Sequence, residues 1–177
     1  MTPTEIADMV DRLGQYYVLA GLALPLVGAP DADARVLAIG LDPDGSVRLG
    51  RQDNTYYEGL RIRPALDMAQ GNSGFNLDYL GGWVMLMLSW LGDALHDNNY
   101  FDRAPVLEAV RHLRNAVSHG NAFHFKPGMP NPRFPAGFRG FTITAADQGK
   151  AVFFEWCSTG DAFDLFDDVA AHLRALR

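Results

Sequence analysis

An uncharged stretch of 14 residues, Tyr79 to Gly92, lies near the middle of the chain. Apolar side chains recur along it at helical spacing. A helix that crosses a bilayer needs about 20 such residues, so this shorter stretch favours a helix buried in a protein core. We expect the helix to begin from a cap at Asn76 or Asp78, to end near His96, and to be the most buried helix of the protein.

Helix signals flank this stretch on both sides. Thr2, Pro3 and Glu5 form a helix start with a capping box and a proline in the first turn. That first helix is expected to reach about Leu24. Three further helices are expected, over Arg61–Ala69, from a cap at Asp102 to the helix stop at Gly120, and from a cap at Asp161 onward.

Two regions have the pattern of β-hairpins. In the first, Val36–Ile39 and Val47–Leu49 flank the turn signal Asp42–Gly45, and the segment is either a hairpin insertion or an ordered loop. In the second, the expected strands are Arg139–Ala145 and Ala151–Cys157. The sequence therefore predicts a mainly α protein, a single helical domain over residues 1–177 with hairpin insertions near 35–50 and 139–157. The proline-rich connection over 127–137 is expected to be extended and exposed.

The single cysteine bears on the compartment. Cys157 has no partner for an internal disulfide, and this favours a reducing cytoplasm. The first ten residues carry Glu5 and Asp8 without a basic start, so no signal peptide is indicated. We expect a cytoplasmic protein without a membrane segment, in which Cys157 is a buried, unreactive thiol.

Charge is unevenly distributed along the chain. The net charge is -6, yet the segment from Arg103 to Arg139 has six basic residues and one acid, so its charge is +5 and that of the remainder is -11. Three of the five histidines also lie in this segment. A local basic region in an acidic protein favours an anionic ligand. The alternative is that the basic residues stabilise a helix end through its dipole.

The segment 114–120, which reads RNAVSHG, carries the candidate chemistry. Arg114 offers a planar fork that matches phosphate oxygens, and Asn115 adds a donor and an acceptor. An imidazole such as that of His119 can exchange protons near neutral pH. On an ideal helix Arg114 and His119 lie about 140° apart, so they converge only if His119 leaves the helix at its end. Together they could cleave RNA without a metal, with the ribose 2′-hydroxyl as nucleophile.

This arrangement resembles the HEPN superfamily, whose hallmark is an arginine, a short spacer and a histidine at the end of an amphipathic helix. The match covers about Asp102 to Asn121 and includes the polar residue directly after the arginine, Asn115. The resemblance implies an antiparallel bundle of about four to five helices and a homodimer with the motif at its interface. It also implies a ribonuclease of a toxin–antitoxin or phage-defence system, with an antitoxin or a nucleotidyltransferase as a further partner. Arg114, Asn115 and His119 would then be catalytic.

Each candidate residue also has a purely structural interpretation. His119 would be a C-capping histidine, and Arg114 would pair with an acid such as Asp97 or Asp168. Arg111, His124 and Lys126 would bind RNA or would be solvated, and His112 is expected to be exposed. No metal-ligand spacing and no nucleotide-binding loop is present, so no metal and no cofactor are expected.

Three functions remain open from the sequence. The first is a dimeric endoribonuclease. The second is a catalytically inactive HEPN module that binds RNA, a nucleotide or a partner protein. The third, suggested by the aromatic content, is a helical bundle that holds a small apolar molecule in a closed cavity.

Overall fold

The computed structural model describes residues 1–52, 54–71, 73–126 and 132–176, with the backbone alone described at 73 and 75–77. The helices are α1 (Pro3–Val27), α2 (Ala32–Ala38), α3 (Ile62–Gly71), α4 (Ser73–Asp97), α5 (Pro105–Ser118) and α6 (Thr159–Ala175). The strands are β1 (Ser46–Gly50), β2 (Tyr56–Arg61), β3 (Gly137–Phe138) and β4 (Phe141–Thr142). The protein is mainly α, as predicted.

The chain forms two compact units. The helical unit comprises Met1–Tyr17 and Gly81–Arg177, and the hairpin unit comprises Val18–Leu80. In the helical unit, parts of α1 and α4 pack with α5 and α6 around one core. Its fully buried side chains include Ile6, Leu91, Leu95, Leu107, Leu113, Leu165 and Leu173. The expectation that the uncharged stretch forms a buried helix is confirmed, since Val84, Met87, Leu88 and Leu91 of α4 are buried.

The predicted start of α1 is confirmed. The Thr2 backbone N–H donates to a carboxylate oxygen of Glu5 at 2.7 Å, and the Glu5 N–H donates to the Thr2 hydroxyl at 3.2 Å. The helix continues through Pro25 to Val27, beyond the predicted end at Leu24. The predicted end was too early because Pro25, a residue that usually disfavours the interior of a helix, is accommodated within α1.

Three predicted caps are wrong. α4 begins at Ser73, so the expected caps Asn76 and Asp78 lie inside it. The N-cap of α6 is Ser158 rather than Asp161, which sits at the third helical position and completes a reciprocal capping box. The N-cap of α5 is Ala104 rather than Asp102. The Asp102 carboxylate instead accepts from the Ala104 N–H at 2.8 Å and lies 2.8 Å from Nε2 of His172. Asp102 thus connects the residues just before α5 with His172 of α6.

The first predicted hairpin is only partly correct. Val36–Ile39 was expected as a strand, but residues 32–38 form α2, and β1 instead pairs antiparallel with β2. The helix is favoured because Ala32 and Val36, four residues apart, bury one face together. Nη1 and Nη2 of Arg63 also donate hydrogen bonds to the two carboxylate oxygens of Asp33, each at 2.8 Å. These bonds hold α2 against the start of α3.

The second predicted hairpin is wrong in its position along the chain. Of the strand expected over Arg139–Ala145 only Phe141–Thr142 forms, and Ala151–Cys157 contains isolated β-bridges in place of a strand. Instead β3 and β4, each two residues long, pair around Arg139 and Gly140. Both turn residues have positive φ, +37° and +89°, which is the geometry of a tight hairpin turn. The turn therefore lies earlier in the chain than the expected one at Ala146–Gly149.

Two further expectations concern membranes and the proline-rich connection. Among the described residues, no single helix is long and apolar enough to cross a bilayer, although α1 and α2 together reach that apolarity across a bend of 117°. The proline-rich connection is described only from residue 132 onward, and residues 127–131 lie outside the described ranges. In the described part, Phe134 lies under the Arg103 guanidinium, 4.0 Å from its central carbon to the ring centre. In the described part, Arg133 and Pro135 are therefore exposed as expected, whereas Phe134 and Ala136 are packed.

Candidate functional site

The end of α5 places His119 outside the helix. Its φ of -117° and ψ of 40° are not helical, and its backbone N–H donates to the carbonyl of Ala116 at 3.1 Å. Gly120 follows with φ +85°, the left-handed conformation that commonly ends helices. The condition that the histidine leaves the helix at its end is therefore met, and the side chain of His119 is exposed.

Arg114 forms an ion pair with Asp93 of α4. Its Nε donates to Oδ1 at 3.0 Å, and its Nη2 contacts the same oxygen. The structural interpretation, in which Arg114 pairs with an acid, is therefore confirmed, but the acid is Asp93 rather than Asp97 or Asp168. Asp168 pairs with Arg139. Both side chains of the Arg114–Asp93 pair are partly exposed, so water screens it and a competing anion displaces it at low cost.

A glycine on α4 makes this pair possible. A Cβ added to Gly92 would lie 2.5 Å from Cγ and 2.8 Å from Cβ of Arg114. These are the first atoms of the arginine side chain, which cannot move without a change of rotamer or a shift of the helices. Gly92 therefore lets α4 and α5 approach closely where Arg114 leaves its helix.

The side chain of Arg114 lines a recess that we call the arginine pocket. The recess has a volume of about 260 Å³. It is lined by Gly92, Asp93, His96, Phe101, Arg111, Arg114 and Asn115. Sequence reasoning missed the three contributions from α4, namely Gly92, Asp93 and His96. Their spacing puts them on one face of that helix, but only the pairing of α4 with α5 brings this face to Arg114.

His119 lies in a second recess, which we call the histidine groove. It is wider, about 680 Å³, and is lined by Asn115, His119, His124, Phe125 and Lys126. The ring centres of His119 and His124 are 6.4 Å apart, with the rings nearly perpendicular. The structure thus brings His124 and Lys126, which sequence reasoning proposed for RNA binding, alongside the candidate catalytic histidine.

Arg114 and His119 do not line the same recess within one chain. Arg114 lines the arginine pocket, His119 lines the histidine groove, and Asn115 lines both. Nη1 of Arg114 donates to Oδ1 of Asn115 at 3.4 Å. Asn115 is therefore the residue that joins the two halves of the motif, and an extended ligand would have to pass over it to reach both.

A buried carboxylate fixes the second arginine of the pocket. Glu108 is only 1% exposed. One of its oxygens contacts Nη2 of Arg111, and the other lies 3.7 Å from Nη1 of Arg103. Because a buried carboxylate is costly without its cation, Glu108 restrains the Arg111 side chain. Arg111 and Arg114, one turn apart on α5, then face the same pocket.

The basic segment is less positive in the fold than in the sequence. Arg111 and Arg114 are paired with Glu108 and Asp93, and Arg139 pairs with Asp164 and Asp168 of α6. Asp93 and the two α6 acids come from outside the segment and neutralise part of its charge. The site is therefore suited to a ligand that exchanges with these carboxylates rather than to attraction at long range.

His112 and Cys157 are placed away from solvent. His112 was expected to be exposed, but it is partly buried, with its ring 5.7 Å from that of Phe125. Burial, and secondarily the charge of Arg111, lowers the pKa of His112. Burial raises the pKa of Cys157 to about 12, which keeps the thiol protonated.

Among the described residues, no group of three or more His, Cys, Asp or Glu side chains could hold a metal ion.

Comparison with protein-family models, with curated proteins and with solved structures finds no match to this chain.

Proposed function

We propose that this protein is a metal-independent endoribonuclease of the HEPN type, which cuts RNA at a centre formed by Arg114, Asn115 and His119. One observation carries the proposal. The helix that bears the motif ends so that His119 leaves it, and Asn115 lines both the pocket of the arginine and the groove of the histidine. A phosphodiester bound over Asn115 would have the recess of the guanidinium and the recess of the imidazole next to it.

The reaction needs two proton transfers. The ribose 2′-hydroxyl attacks the adjacent phosphorus, a base takes its proton, and the 5′-oxygen leaves with a proton from an acid. The products are a 2′,3′-cyclic phosphate and a 5′-hydroxyl. The bond that forms is between the 2′-oxygen and phosphorus, and the bond that breaks is between phosphorus and the 5′-oxygen, so DNA is not a substrate.

Each of the two recesses that Asn115 lines contains an imidazole. His119 is in the histidine groove and His96 is in the arginine pocket. We assign one of the two proton transfers to each of them, because Asn115 lines both recesses and a phosphate bound at Asn115 would be next to both. His96 was not among the candidates from the sequence, and it adds the second proton carrier that the reaction requires.

Arg114 stabilises the charge that develops on the phosphorane oxygens. To do so, Arg114 breaks its ion pair with Asp93 and binds the phosphate instead. The loss of free energy is small, because both side chains of the pair are partly exposed. Asp93 holds the guanidinium over the pocket until substrate binds. Arg111 of the pocket and His124 and Lys126 of the groove would contact the flanking phosphates.

We also propose the homodimer with the motif at its interface that the resemblance implies. Two open recesses in one chain leave space for the motif of a second chain to close over the same RNA. The further partners, an antitoxin or a nucleotidyltransferase, and a role in phage defence in the cytoplasm follow from the same resemblance and belong to this proposal.

A second candidate is the catalytically inactive HEPN module. The observation that favours it is that Arg114 is paired with Asp93 and lines a different recess from His119. Such a module would bind RNA, a nucleotide or a partner protein through the same surface. The arginine pocket and the histidine groove have charged linings, and the apolar recess lined by Leu26, Val36 and Ile39 is open to solvent, so none of the three is the closed apolar cavity that a small-molecule carrier needs.

Cleavage of a mixed-sequence single-stranded RNA in EDTA separates these candidates. Wild type is compared with Arg114→Ala, His119→Ala and the control Arg12→Ala, which removes an exposed arginine that lines neither recess. We expect cleavage with 2′,3′-cyclic phosphate ends by wild type and by the control only, and no cleavage of DNA of the same sequence. RNA binding without cleavage would favour the inactive module, and absence of both would contradict both candidates.

A further inference from the structure

Two arginines of the basic segment meet at one aromatic ring. The central carbon of the Arg103 guanidinium lies 4.0 Å from the ring centre of Phe134, and that of Arg133 lies 5.3 Å from the same centre. Both distances are typical of a cation–π contact. We call Arg103, Phe134 and Arg133 the Phe134 cluster. The proposed reaction uses none of these three residues, although they belong to the same helical unit as its centre.

The cations at this cluster outnumber the carboxylates paired with them. Glu108 lies 3.7 Å from Nη1 of Arg103, and its other oxygen contacts Arg111. Arg133 forms no ion pair with a residue that the structure describes. Three guanidinium groups are thus accompanied by one carboxylate, and the resulting excess of positive charge favours an anionic ligand.

The acid next to Arg103 in the sequence is engaged by other groups. Oδ1 of Asp102 accepts a hydrogen bond from the Ala104 N–H at 2.8 Å, and Oδ2 lies 2.8 Å from Nε2 of His172 on α6. Neither oxygen pairs with Arg103, whose side chain is 59% exposed. An anion can therefore reach the Arg103 guanidinium from solvent without displacing the Asp102 carboxylate.

The backbone of Arg103 has a conformation that favours glycine. Its φ is +77°, in the left-handed region that is costly for a residue with a side chain. Glycine would adopt this conformation without strain, so an arginine here points to a role for its side chain. Its contacts within the chain, an exposed cation–π contact and a carboxylate oxygen at 3.7 Å, are both weak. Strained residues are concentrated at binding sites, and a ligand for the guanidinium accounts for the strain.

We infer that the Phe134 cluster binds a backbone phosphate of a single RNA strand, another phosphate of which occupies the arginine pocket. The identity of the strand rests on the proposed function. Guanidinium donors match phosphate oxygens, and the Phe134 ring holds both guanidinium groups, which reduces the entropy lost when they bind. Sites for single strands combine basic side chains with aromatic rings, and unpaired bases stack on such rings or on guanidinium groups. In a duplex the base faces are already stacked on one another, so we expect single strands to be preferred.

The Phe134 cluster is next to the arginine pocket. Glu108 connects the two, because one of its oxygens contacts Arg111 of the pocket and the other lies 3.7 Å from Arg103 of the cluster. Phe101, two residues before Arg103, also lines the pocket. A strand that leaves the pocket on the side of Arg111 therefore meets Arg103 next.

Binding of a fluorescent, single-stranded 2′-O-methyl RNA tests the inference. This probe lacks the 2′-hydroxyl nucleophile, so it is bound without being cut and the result does not depend on catalysis. Arg103→Gln and Arg133→Gln are compared with Arg12→Gln, which removes an exposed arginine elsewhere in the helical unit. We expect each cluster variant to lower the affinity about 10-fold. Each should also reduce the slope of log K against log salt by about 0.7, as for one lost phosphate contact, and the control should change neither quantity.

A second variant, Arg103→Gly, separates binding from folding. Glycine relieves the positive φ of residue 103. We therefore expect a melting temperature equal to or above that of wild type, measured by circular dichroism, with the same loss of affinity as in Arg103→Gln. A lower melting temperature with wild-type affinity would show that Arg103 only fixes Phe134, and this would overturn the inference. The inference is also wrong if both glutamine variants of the cluster lose no more affinity than Arg12→Gln.

Two further measurements separate this inference from the proposed ribonuclease. A dinucleotide has one phosphodiester, so its cleavage tests the centre at Asn115 alone. Arg103→Gln should leave that cleavage unchanged while it raises KM for long single-stranded RNA about 10-fold. If wild type binds the probe through the cluster but cuts neither substrate, the ribonuclease proposal fails and the binding site stands. Duplex RNA or uridine monophosphate that binds as tightly as the probe would show that the cluster is not a site for a single strand, and would overturn the inference.

Discussion

The guanidinium of Arg114 on α5 bonds the carboxylate of Asp93 on α4, with Nε 3.0 Å from Oδ1. Asp93 lies 21 positions earlier in the chain and has no place in the motif that contains Arg114. The pair lines a recess with His96 and Asn115. In the proposed reaction this carboxylate orients the arginine before substrate arrives and yields it to the phosphate when substrate binds.

Replacement of Asp93 tests this positioning role. We expect Asp93→Asn to lower the rate of RNA cleavage by about 10- to 100-fold, because a misoriented guanidinium loses the alignment that catalysis needs. RNA affinity should hold or rise, since the variant removes a carboxylate that competes with phosphate for Arg114. Stability should change by less than about 1 kcal/mol, as for other exposed ion pairs. Single-turnover kinetics and RNA titrations measure the rate and the affinity separately.

The control for Asp93 is Asp97→Asn. Asp97 is exposed on the same helix and does not line the arginine pocket. Its replacement removes the same charge from α4, and we expect unchanged cleavage. Equal losses in the two variants would show that net charge, rather than the contact with Arg114, is responsible.

Gly92 is expected to be intolerant of even one methyl group. The added Cβ in Gly92→Ala would lie 2.5 Å from Cγ of Arg114. We expect a loss of about 1–3 kcal/mol of unfolding free energy from overpacking, together with loss of cleavage. Gly82→Ala is the matched control, since no atom lies within 4 Å of a Cβ at that position of α4. That change should stabilise the helix by up to about 1 kcal/mol, measured by urea unfolding.

The two imidazoles should affect different parts of the pH–rate profile. We expect a bell-shaped profile for wild type, in which one limb requires a deprotonated base and the other a protonated acid. His96→Gln and His119→Gln should each lower the rate by about 100-fold or more, and each should remove one limb. If the profile of His96→Gln kept both limbs, His96 would have no part in proton transfer. The structure of the product ends checks that the reaction is unchanged.

Local features of the site could be predicted from the sequence. The amphipathic helix α5, its end at Ser118 and the exit of His119 depend on spacing and on Gly120, which lie within a few residues of one another. The buried character of α4 follows equally from its own composition. These predictions succeed because the physics that decides them acts within one helix.

The features of the fold and the site that were not predicted depend on contacts between distant parts of the chain. Asp93 and His96 reach the site only because Gly92 lets α4 approach α5, and no pattern within either helix indicates that pairing. The hairpin around Arg139 and Gly140 forms where two residues accept positive φ rather than at the stronger composition signal. The charge of the basic segment was overestimated because acids on other helices neutralise it.

The buried imidazole of His112 should make stability depend on pH below neutrality. Its pKa is lowered from the ordinary 6.5 first by burial and then by Arg111, so the folded protein binds this proton less readily than the unfolded chain does. Stability from this group is therefore complete above pH 6.5 and falls as the pH is lowered toward the folded pKa. We expect the melting temperature of wild type to drop between pH 7 and about 5.5, and that of His112→Gln to change less. The control His124→Gln removes an exposed histidine and should follow wild type. An equal drop in wild type and His112→Gln would assign the pH dependence to other groups.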